Sequence, residues 1–185
     1  GDSALAVVTS GIRNTAIGSR ALLNNTGSRN TATGAFALYS NTSGSGLTAA
    51  GDSALYKNTT GTNQLAVGAS ALKNMTSGNG NIAIGSRSLY SGAAANGNIA
   101  IGDSALYAWT GSGINTAVGT FALMGNTTGT ANTAIGYNTL SIASASSYNN
   151  VFGNNAMYNA TGSYNCAFGD QSLPITTGAA NVGMG

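Results

Sequence analysis

Few residues of this chain could carry out acid–base or nucleophilic chemistry, and they lie far apart. The sequence has no His and no Glu, and its acidic residues are Asp2, Asp52, Asp103 and Asp170. Each aspartate follows one of the regularly spaced glycines, so no two carboxylates are neighbours. General acid–base catalysis needs a histidine or a close pair of carboxylates, and a metal site needs a cluster of ligands. We therefore expect no enzymatic activity, no metal site and no cofactor, and we interpret the aspartates as solvated turn residues.

Cys166 is the only cysteine of the chain, so an internal disulfide cannot form. It occupies a repeat position that Thr or Ile fills elsewhere. We therefore predict a small buried core residue instead of a reactive thiol. The glycine-rich turns are not phosphate loops, because no Gly-Lys-Ser/Thr follows any of them.

A recurring glycine divides the chain into coils of 16 or 17 residues, and no segment lies outside this register. This glycine is taken as position 0 of each coil and is provided by Gly1, Gly18, Gly34, Gly51, Gly68, Gly85, Gly102, Gly119, Gly136, Gly153, Gly169 and Gly185. Position −4 is mostly Asn, −3 is Thr or small and apolar, −2 is mostly Ala, −1 is mostly apolar, and +4 is Leu except at Met157. We predict one repeat array over residues 1–185 with about eleven coils, and we interpret it as an excerpt of a longer fibre.

Short strands explain this pattern better than helices, because no apolar stripe of helical period runs far without a glycine. Alternation from −4 to −1 predicts one strand, with −3 and −1 facing the interior and the Ala at −2 facing away. A second strand is predicted from about +2 to +6, with Leu at +4 facing inward and +3 and +5 facing away. The prediction is an all-β, parallel β-roll or β-solenoid with two short strands per coil. Coils stacked at ~4.8 Å would form a rod of roughly 50 Å.

The asparagine at −4 has two interpretations. Stacked copies could hydrogen-bond side chain to side chain along the rod, as in the Asn ladders of stacked sheets. Alternatively, each Asn could simply favour the turn that precedes the strand. The sequence does not distinguish these two roles.

The alanines at −2 would form a flat surface of small side chains if they faced away from the core. One coil has a thin interior, and an apolar ribbon of this length rarely stays exposed. We therefore predict that several chains pack side by side through Ala16, Ala32, Ala49, Ala66, Ala83, Ala100, Ala117, Ala134 and Ala167. The alternative is that they are small strand residues in solvent.

Aromatic residues recur at +5 and are candidate surface contacts for sugars or protein partners. They are Tyr39, Tyr56, Tyr90, Tyr107 and Tyr158, with Trp109 close by in one coil. Tyr90 and Tyr107 belong to consecutive coils and should stack. The alternative is that these rings pack against the outer sheet or the return turn. The Asn-x-Ser/Thr sequons, which begin at Asn24, Asn41, Asn58, Asn74, Asn126 and Asn159, are interpreted as by-products of a repeated Thr-rich turn.

Charge and hydropathy exclude two classes of partner. Charged residues make up only 5% of the chain and the net charge is +2. This is not the clustered basic footprint that nucleic-acid binding needs. No apolar run approaches the ~20 residues of a membrane-spanning helix, so we expect no membrane insertion in this segment.

Two stretches carry a resemblance to a known family. Residues 115–123 (NTAVGTFAL) and 132–140 (NTAIGYNTL) resemble the N-T-A-I-G-x-x-A-L repeats of trimeric autotransporter adhesin (YadA-like) heads. Similar repeats occur in phage tail-fibre-like proteins. The resemblance covers the whole chain and implies a left-handed parallel β-roll that forms a homotrimer outside the cell, on a cell surface or on a virion. The coil is longer than the adhesin-head repeat, and the extra residues fall in the Asn-Thr-Thr-Gly turn, so a tail fibre or another surface filament is equally open.

Two functions follow from this reading. The first is a structural and adhesive fibre segment, a rigid trimeric rod that mediates attachment to a host-surface receptor or glycan. The second is a monomeric β-solenoid that binds a glycan or ice. Ice binding requires outward ranks of Thr, whereas Leu65, Ile82 and Ile99 replace Thr at −3, which we interpret as an inward position.

Overall fold

The structure, a computed structural model, describes residues 1–7 and 10–185. Within these ranges the secondary structure is all-β, without a helix. The strands are β1 (Thr15–Ile17), β2 (Thr31–Thr33), β3 (Thr48–Ala50), β4 (Leu65–Val67), β5 (Ile82–Ile84), β6 (Ile99–Ile101), β7 (Thr116–Val118), β8 (Thr133–Ile135), β9 (Asn150–Phe152), β10 (Asn159–Ala160), β11 (Cys166–Phe168), β12 (Ile175–Thr176) and β13 (Val182–Met184).

Eleven of these strands form one parallel sheet in the order β1-β2-β3-β4-β5-β6-β7-β8-β9-β11-β13. Each strand pairs with the same repeat positions of the next coil, so that Ala83 lies opposite Ala100 and Ile84 opposite Ile101. Strands β10 and β12 pair separately, also in parallel. The chain is therefore a parallel β-solenoid, as the glycine period predicts. At the usual strand spacing of ~4.8 Å the sheet is about 48 Å long.

The side chains of the long sheet face in the direction opposite to the prediction. Ala at −2 is buried inside the coil, as at Ala83 and Ala100, whereas the flanking Ile82 and Ile84 lie on the outer face. The reason is the width of the interior. Leu at +4 fills the space opposite −2, and even a Cβ added to Gly183, which occupies −2 in the last coil, would overlap the side chain of Leu173. Position −2 accordingly holds Ala, except for the buried Val151 and for Gly183, and the residues at −3 and −1 point outward.

The second strand predicted from about +2 to +6 does not form there, because positions +1 to +5 form turns; a second strand is present only as β10 and β12, at +6 and +7 of their coils. Phe36 at +2 and Leu38 at +4 have left-handed φ values of 56° and 53°. These values direct successive N–H groups to opposite neighbours: Phe36 donates to the carbonyl of Ser19 in the preceding coil at 2.9 Å, and Leu38 donates to that of Ala54 in the following coil at 3.0 Å. A turn thus keeps backbone hydrogen bonds along the rod without being a strand.

Leucine at +4 is buried as predicted, but the small residue at +3 is buried beside it instead of facing away. In the coil of Gly102 both Ala105 and Leu106 are fully buried. β-branched residues are strongly disfavoured at positive φ. This explains why +4 is Leu or Met and never Ile or Val, although all four are apolar.

The glycine at 0 is required for two reasons. Gly102 has φ 130°, a conformation that side chains rarely adopt, and an added Cβ would lie 2.5 Å from the carbonyl carbon of Gly119 in the next coil. The predicted turn role of this glycine is confirmed. The same geometry recurs at the other inner coil glycines, so the column of glycines sets how closely the coils stack.

The asparagines at −4 form the ladder that was one of the two predicted roles. Asn132 is buried, and both its backbone N–H and its Nδ2 donate to Oδ1 of Asn115 at 3.1 Å. Its Nδ2 also donates to the carbonyl of Ser146 at 2.8 Å, which fixes the turn. Asn149 repeats the same contacts to Asn132. The ladder therefore satisfies buried polar groups while it fixes the coil-to-coil register.

Candidate functional surfaces

The outer face of the long sheet carries two columns of side chains, at −3 and −1, which we call the outer ribbon. Position −3 holds Thr15, Thr31, Thr48, Leu65, Ile82, Ile99, Thr116, Thr133, Asn150, Cys166 and Val182, and position −1 holds Ile17, Thr33, Ala50, Val67, Ile84, Ile101, Val118, Ile135, Phe152, Phe168 and Met184. No charged residue belongs to the ribbon. Its large side chains are most accessible near the ends of the rod, where Ile17 is 61% and Phe168 60% exposed, whereas Ile82, Ile84, Ile99 and Ile101 in the middle are half-buried in the single chain. The ribbon is therefore a flat, uncharged and largely apolar surface.

The alanines predicted to contact another chain do not lie on this surface. Ala32, Ala49, Ala66, Ala83, Ala100, Ala117, Ala134 and Ala167 are fully buried in the core of their own chain, and Ala16 is partly buried against it. They therefore cannot form an inter-chain surface, because the Leu column of the same chain covers them. Contacts through this sheet would instead use the neighbouring residues at −3 and −1.

Cys166 is exposed, which contradicts the predicted burial. The cause is the same as for the isoleucines: the side chain at −3 lies on the outer face of the sheet in β11. The thiol lies on the outer ribbon between Asn150 and Val182 of the adjacent strands.

The tyrosines at +5 stack as predicted. The rings of Tyr90 and Tyr107 are 5.0 Å apart and 6° from parallel, and those of Tyr39 and Tyr56 are 5.2 Å apart and 5° from parallel. All four residues are half-buried, whereas Tyr158 is exposed. Because the paired rings cover each other's faces, those faces are closed to a sugar that would stack on them.

Two cationic side chains pack against aromatic rings beside the pair Tyr39 and Tyr56. Lys73 lies over the ring of Tyr56 with Nζ 5.9 Å from its centre, and the guanidinium of Arg20 lies 5.7 Å from the ring centre of Phe36. A shallow groove of about 320 Å³ is lined by Phe36, Ser53, Tyr56 and Lys73. These contacts indicate mutual packing of the surface side chains on this face.

Trp109 is not a surface residue, contrary to the prediction. It is fully buried at position +7, where other coils carry the inward asparagines Asn58 and Asn126. A Cβ added to Gly111 would lie 2.6 Å from the indole ring, so this glycine makes room for it. The indole Nε1 has no hydrogen-bond partner. Trp109 therefore interrupts a second polar column that sequence reasoning missed.

That second column also decides which sequons are accessible. Asn41 and Asn58 are buried, and Nδ2 of Asn58 donates to Oδ1 of Asn41 at 2.8 Å. Asn126 is buried and bonded to Gly129 within its turn. These three positions cannot carry a glycan in the folded chain, whereas Asn24 and Asn159, one position earlier in their coils, are exposed.

A basic corner lies at position −5, at the start of the strand. Arg13 and Arg29 occupy this position in consecutive coils, and both are exposed. Arg29 lines a groove of about 490 Å³ together with Ser45, Gly46, Thr62 and Asn63. Sequence reasoning did not single out this pair; the signal was present, since each arginine directly precedes the −4 asparagine.

The aspartates do not come together. Asp52 is an exposed turn residue whose carboxylate accepts a hydrogen bond from Oγ of Ser53 at 2.9 Å. Among residues 1–7 and 10–185, no three His, Cys, Asp or Glu side chains lie close enough to hold a metal ion. The same part of the chain contains no helix long and apolar enough to cross a membrane.

The fold and its in-register columns define the chain as a repeat protein of the parallel β-solenoid class. Comparisons with protein-family models, with curated proteins and with solved structures found no match.

Proposed function

We propose that this chain is a rigid segment of an extracellular attachment fibre, in which three copies pack side by side through the outer ribbon. The observation that carries the proposal is the ribbon itself. It is about 48 Å long and on the order of 10 Å wide, so its area is roughly 500 Å² per chain. The largest apolar patch on a soluble monomer typically covers about 300–600 Å² and is often functional; the ribbon is of this size and is interrupted only by uncharged Thr and Asn side chains.

The order of residues along the ribbon favours parallel chains that are aligned coil by coil. Such an arrangement places Ile101 near the equivalent Ile of its neighbours, and Thr31 near Thr. Apolar residues then meet apolar residues, and hydroxyl groups meet hydroxyl groups. The ribbon carries no charge to be desolvated on association. The number of three chains comes from the resemblance to autotransporter adhesin heads.

The properties of the single chain suit a spacer. Consecutive coils are joined by backbone hydrogen bonds on the strand and on the turn face, and by the buried Asn column. Extended, unpaired loops, which proteases cut preferentially, are scarce in such an arrangement. A rod of this kind holds a binding surface at a fixed distance from its anchor.

Solution mass measured by light scattering tests the proposal directly. The expected result is a single species of three times the chain mass. A monodisperse monomer at micromolar concentration would refute assembly through the ribbon.

Thiol labelling at Cys166 provides a second test that does not depend on mass. The exposed thiol lies on the ribbon, so a water-soluble disulfide reagent should label it slowly in the assembly and quickly in the monomeric variant Ile101→Glu. A matched control moves the thiol to the turn face with Cys166→Ser and Ser86→Cys. This relocated thiol should label quickly in both backgrounds, and equal rates for Cys166 in both would place the interface elsewhere.

One observation favours the second candidate, a monomeric ligand-binding solenoid. Thr15, Thr31 and Thr48 at −3 face outward instead of inward, which removes one argument against an ice-binding or glycan-binding face. Leu65 and Ile82 then interrupt the rank of threonines. We therefore favour assembly, and the mass measurement separates the two candidates.

A further inference from the structure

The basic corner combines two arginines with an adjacent groove, and the proposed assembly through the outer ribbon uses neither. Arg13 and Arg29 project from consecutive coils at −5, and the groove of about 490 Å³ begins at Arg29 and continues past Gly46 to Asn63. The outer ribbon starts two residues further along each coil, so the corner borders the ribbon without belonging to it.

The positive charge of this corner has no neutralising partner nearby. The backbones of Arg13 and Arg29 are one coil apart, at about the strand spacing of ~4.8 Å, so the two charges repel each other. All four aspartates occupy +1, at the other end of the strand. The three-residue strand between −5 and +1 alone spans ~10 Å, which exceeds the Debye length of ~8 Å at physiological salt. An anion bound at the corner would relieve this repulsion.

Glycines at −5 extend the groove along the rod. Position −5 is glycine at Gly46, Gly80 and Gly97. Gly80 has φ 65°, and an added Cβ would meet nothing within 4 Å. At Gly46 the side chain of Asn63 takes up part of this space, since an added Cβ would lie 2.6 Å from its Oδ1, and Ile114 borders the space at Gly97, 3.5 Å from an added Cβ. Beyond Arg29 the corner therefore forms a shallow trough over about four coils, or roughly 19 Å, that is narrowed by Asn63, open at Gly80 and bounded by Ile114.

Polar groups line the trough once per coil. At −6, Thr62 donates from its backbone N–H to Oδ1 of Asn79 at 3.0 Å, and Asn79 donates likewise to Asn96 at 2.9 Å. These hydrogen bonds hold the side chains in a row. The exposed amide of Asn63 adds a donor and an acceptor beside the arginines.

We propose that this corner binds an acidic polysaccharide: the arginines hold the carboxylate or sulfate of one sugar, and the following sugars lie along the trough from Gly46 towards Gly97. The inference rests on the proposed function, since it names the class of partner to which the fibre attaches. Arg binds planar anionic groups through two parallel hydrogen bonds. The repeated amide and hydroxyl groups match the hydroxyls of a sugar chain.

Other polymers fit this corner less well. Double-stranded DNA carries one charge per ~1.7 Å of its axis, whereas the trough has cations at one end only. A protein partner would need a buried apolar or aromatic anchor at the centre of the contact, and the residues from Arg29 to Gly97 at −5 and −6 offer none.

Calorimetric titration of the full chain with defined oligosaccharides tests the proposal. The probes are hexagalacturonate, a sulfated maltohexaose, neutral maltohexaose and hexaglutamate. The double variant Arg13→Gln with Arg29→Gln removes the two charges. Its matched control, Arg20→Gln with Arg87→Gln, removes the same net charge from position +2. A third variant, Gly80→Asn, places a side chain in the trough at a position whose positive φ asparagine tolerates.

Binding of at least one acidic oligosaccharide, with affinity that falls as salt rises and with no binding of neutral maltohexaose, is the expected result. The corner double variant should weaken binding at least tenfold, the +2 control less than twofold, and Gly80→Asn severalfold. Equal losses in the two double variants would overturn the proposal, and so would tighter binding of hexaglutamate than of either sugar. The same samples go to light scattering: a trimer that binds no acidic sugar refutes this inference alone, whereas a monomer that binds one refutes the fibre alone.

Discussion

Ala100 and Ile101 are consecutive residues of β6, yet their side chains lie on opposite sides of the sheet. Ala100 is fully buried beneath the Leu column, and Ile101 lies on the outer ribbon. This relationship gives one strand two separable roles, since the inner residue holds the coil together and the outer one is available to a neighbouring chain.

A glutamate at each of these two positions should therefore have different effects. Ile101→Glu should keep the fold and abolish assembly, because a charge at the centre of an apolar interface would be buried without a partner. Ala100→Glu should unfold the chain, because the carboxylate would be both desolvated and too large for the core. Circular dichroism melting and light scattering on both variants measure the two effects. Ser86→Glu on the turn face is the control and should change neither; a folded, assembled Ile101→Glu would contradict the interface.

The coil glycine should tolerate no side chain. Gly102→Ala should cost at least about 3 kcal/mol, because the Cβ is strained at φ 130° and overlaps the backbone of Gly119. Gly80→Ala, at φ 65° with open space around it, should cost only about 1 kcal/mol. Urea unfolding at one fixed protein concentration gives both values. Similar losses would mean that the coils can move apart, and that the glycine column does not set the stacking distance.

Loss of one rung of the asparagine ladder should be costly. Asn132→Ala removes one of the two donors to Asn115 Oδ1 and the side-chain donor to the carbonyl of Ser146, and it leaves both the N–H and Nδ2 of Asn149 without their acceptor. Buried polar groups without partners cost about 1–3 kcal/mol each, so a loss of roughly 3 kcal/mol is expected. The exposed Asn154→Ala should change stability by less than about 0.5 kcal/mol. Chemical denaturation compares the two; equal stability would assign the −4 Asn to turn formation alone.

The leucine at +4 should accept only unbranched or γ-branched replacements. Leu123 has φ 52°. Leu123→Met should therefore cost less than about 1.5 kcal/mol, as Met157 at the same position suggests. Leu123→Ile conserves volume but places a β-branched residue at positive φ, and should cost about 2 kcal/mol or more. The pair separates backbone strain from hydrophobic burial, and an Ile variant as stable as the Met variant would show that φ does not govern this position.

The repeat alone predicts the solenoid, the turn role of Gly102 and the inward Leu column, because each follows from the period of the sequence. The period does not predict which side chains of the strand face the core. A strand of three residues such as Ile82–Ile84 alternates with a period of two, and the same alternation is compatible with either phase. The width of the coil decides the phase, and that width depends on the left-handed turn opposite the strand, which the sequence pattern of +2 and +4 does not reveal directly.

Two predictions at the candidate sites are wrong for different reasons. The sequence pattern groups Trp109 with the tyrosines because it is aromatic and close to them in the chain, but its position, +7, belongs to the inward column of Asn58 and Asn126. The pattern predicts a buried Cys166 because Thr and Ile share its column, although both residue types are common on an exposed strand face. Alignment of all coils at +7 would have exposed the first error, whereas the second required the phase of the strand.

The buried indole of Trp109 marks a segment with fewer hydrogen bonds between coils. Each coil contacts only its neighbours, so the force that the rod withstands is set by its weakest coil-to-coil contact. The inner amide column at +7 is absent at Met75, Gly92 and Trp109, and again at Ala143 and Ala160, so these coils are held by the −4 column, the backbone and apolar contacts. A fibre stretched by shear flow should therefore yield in one of these two segments before it yields at Asn25–Asn58, and the fluorescence of the single tryptophan should report opening of the first segment.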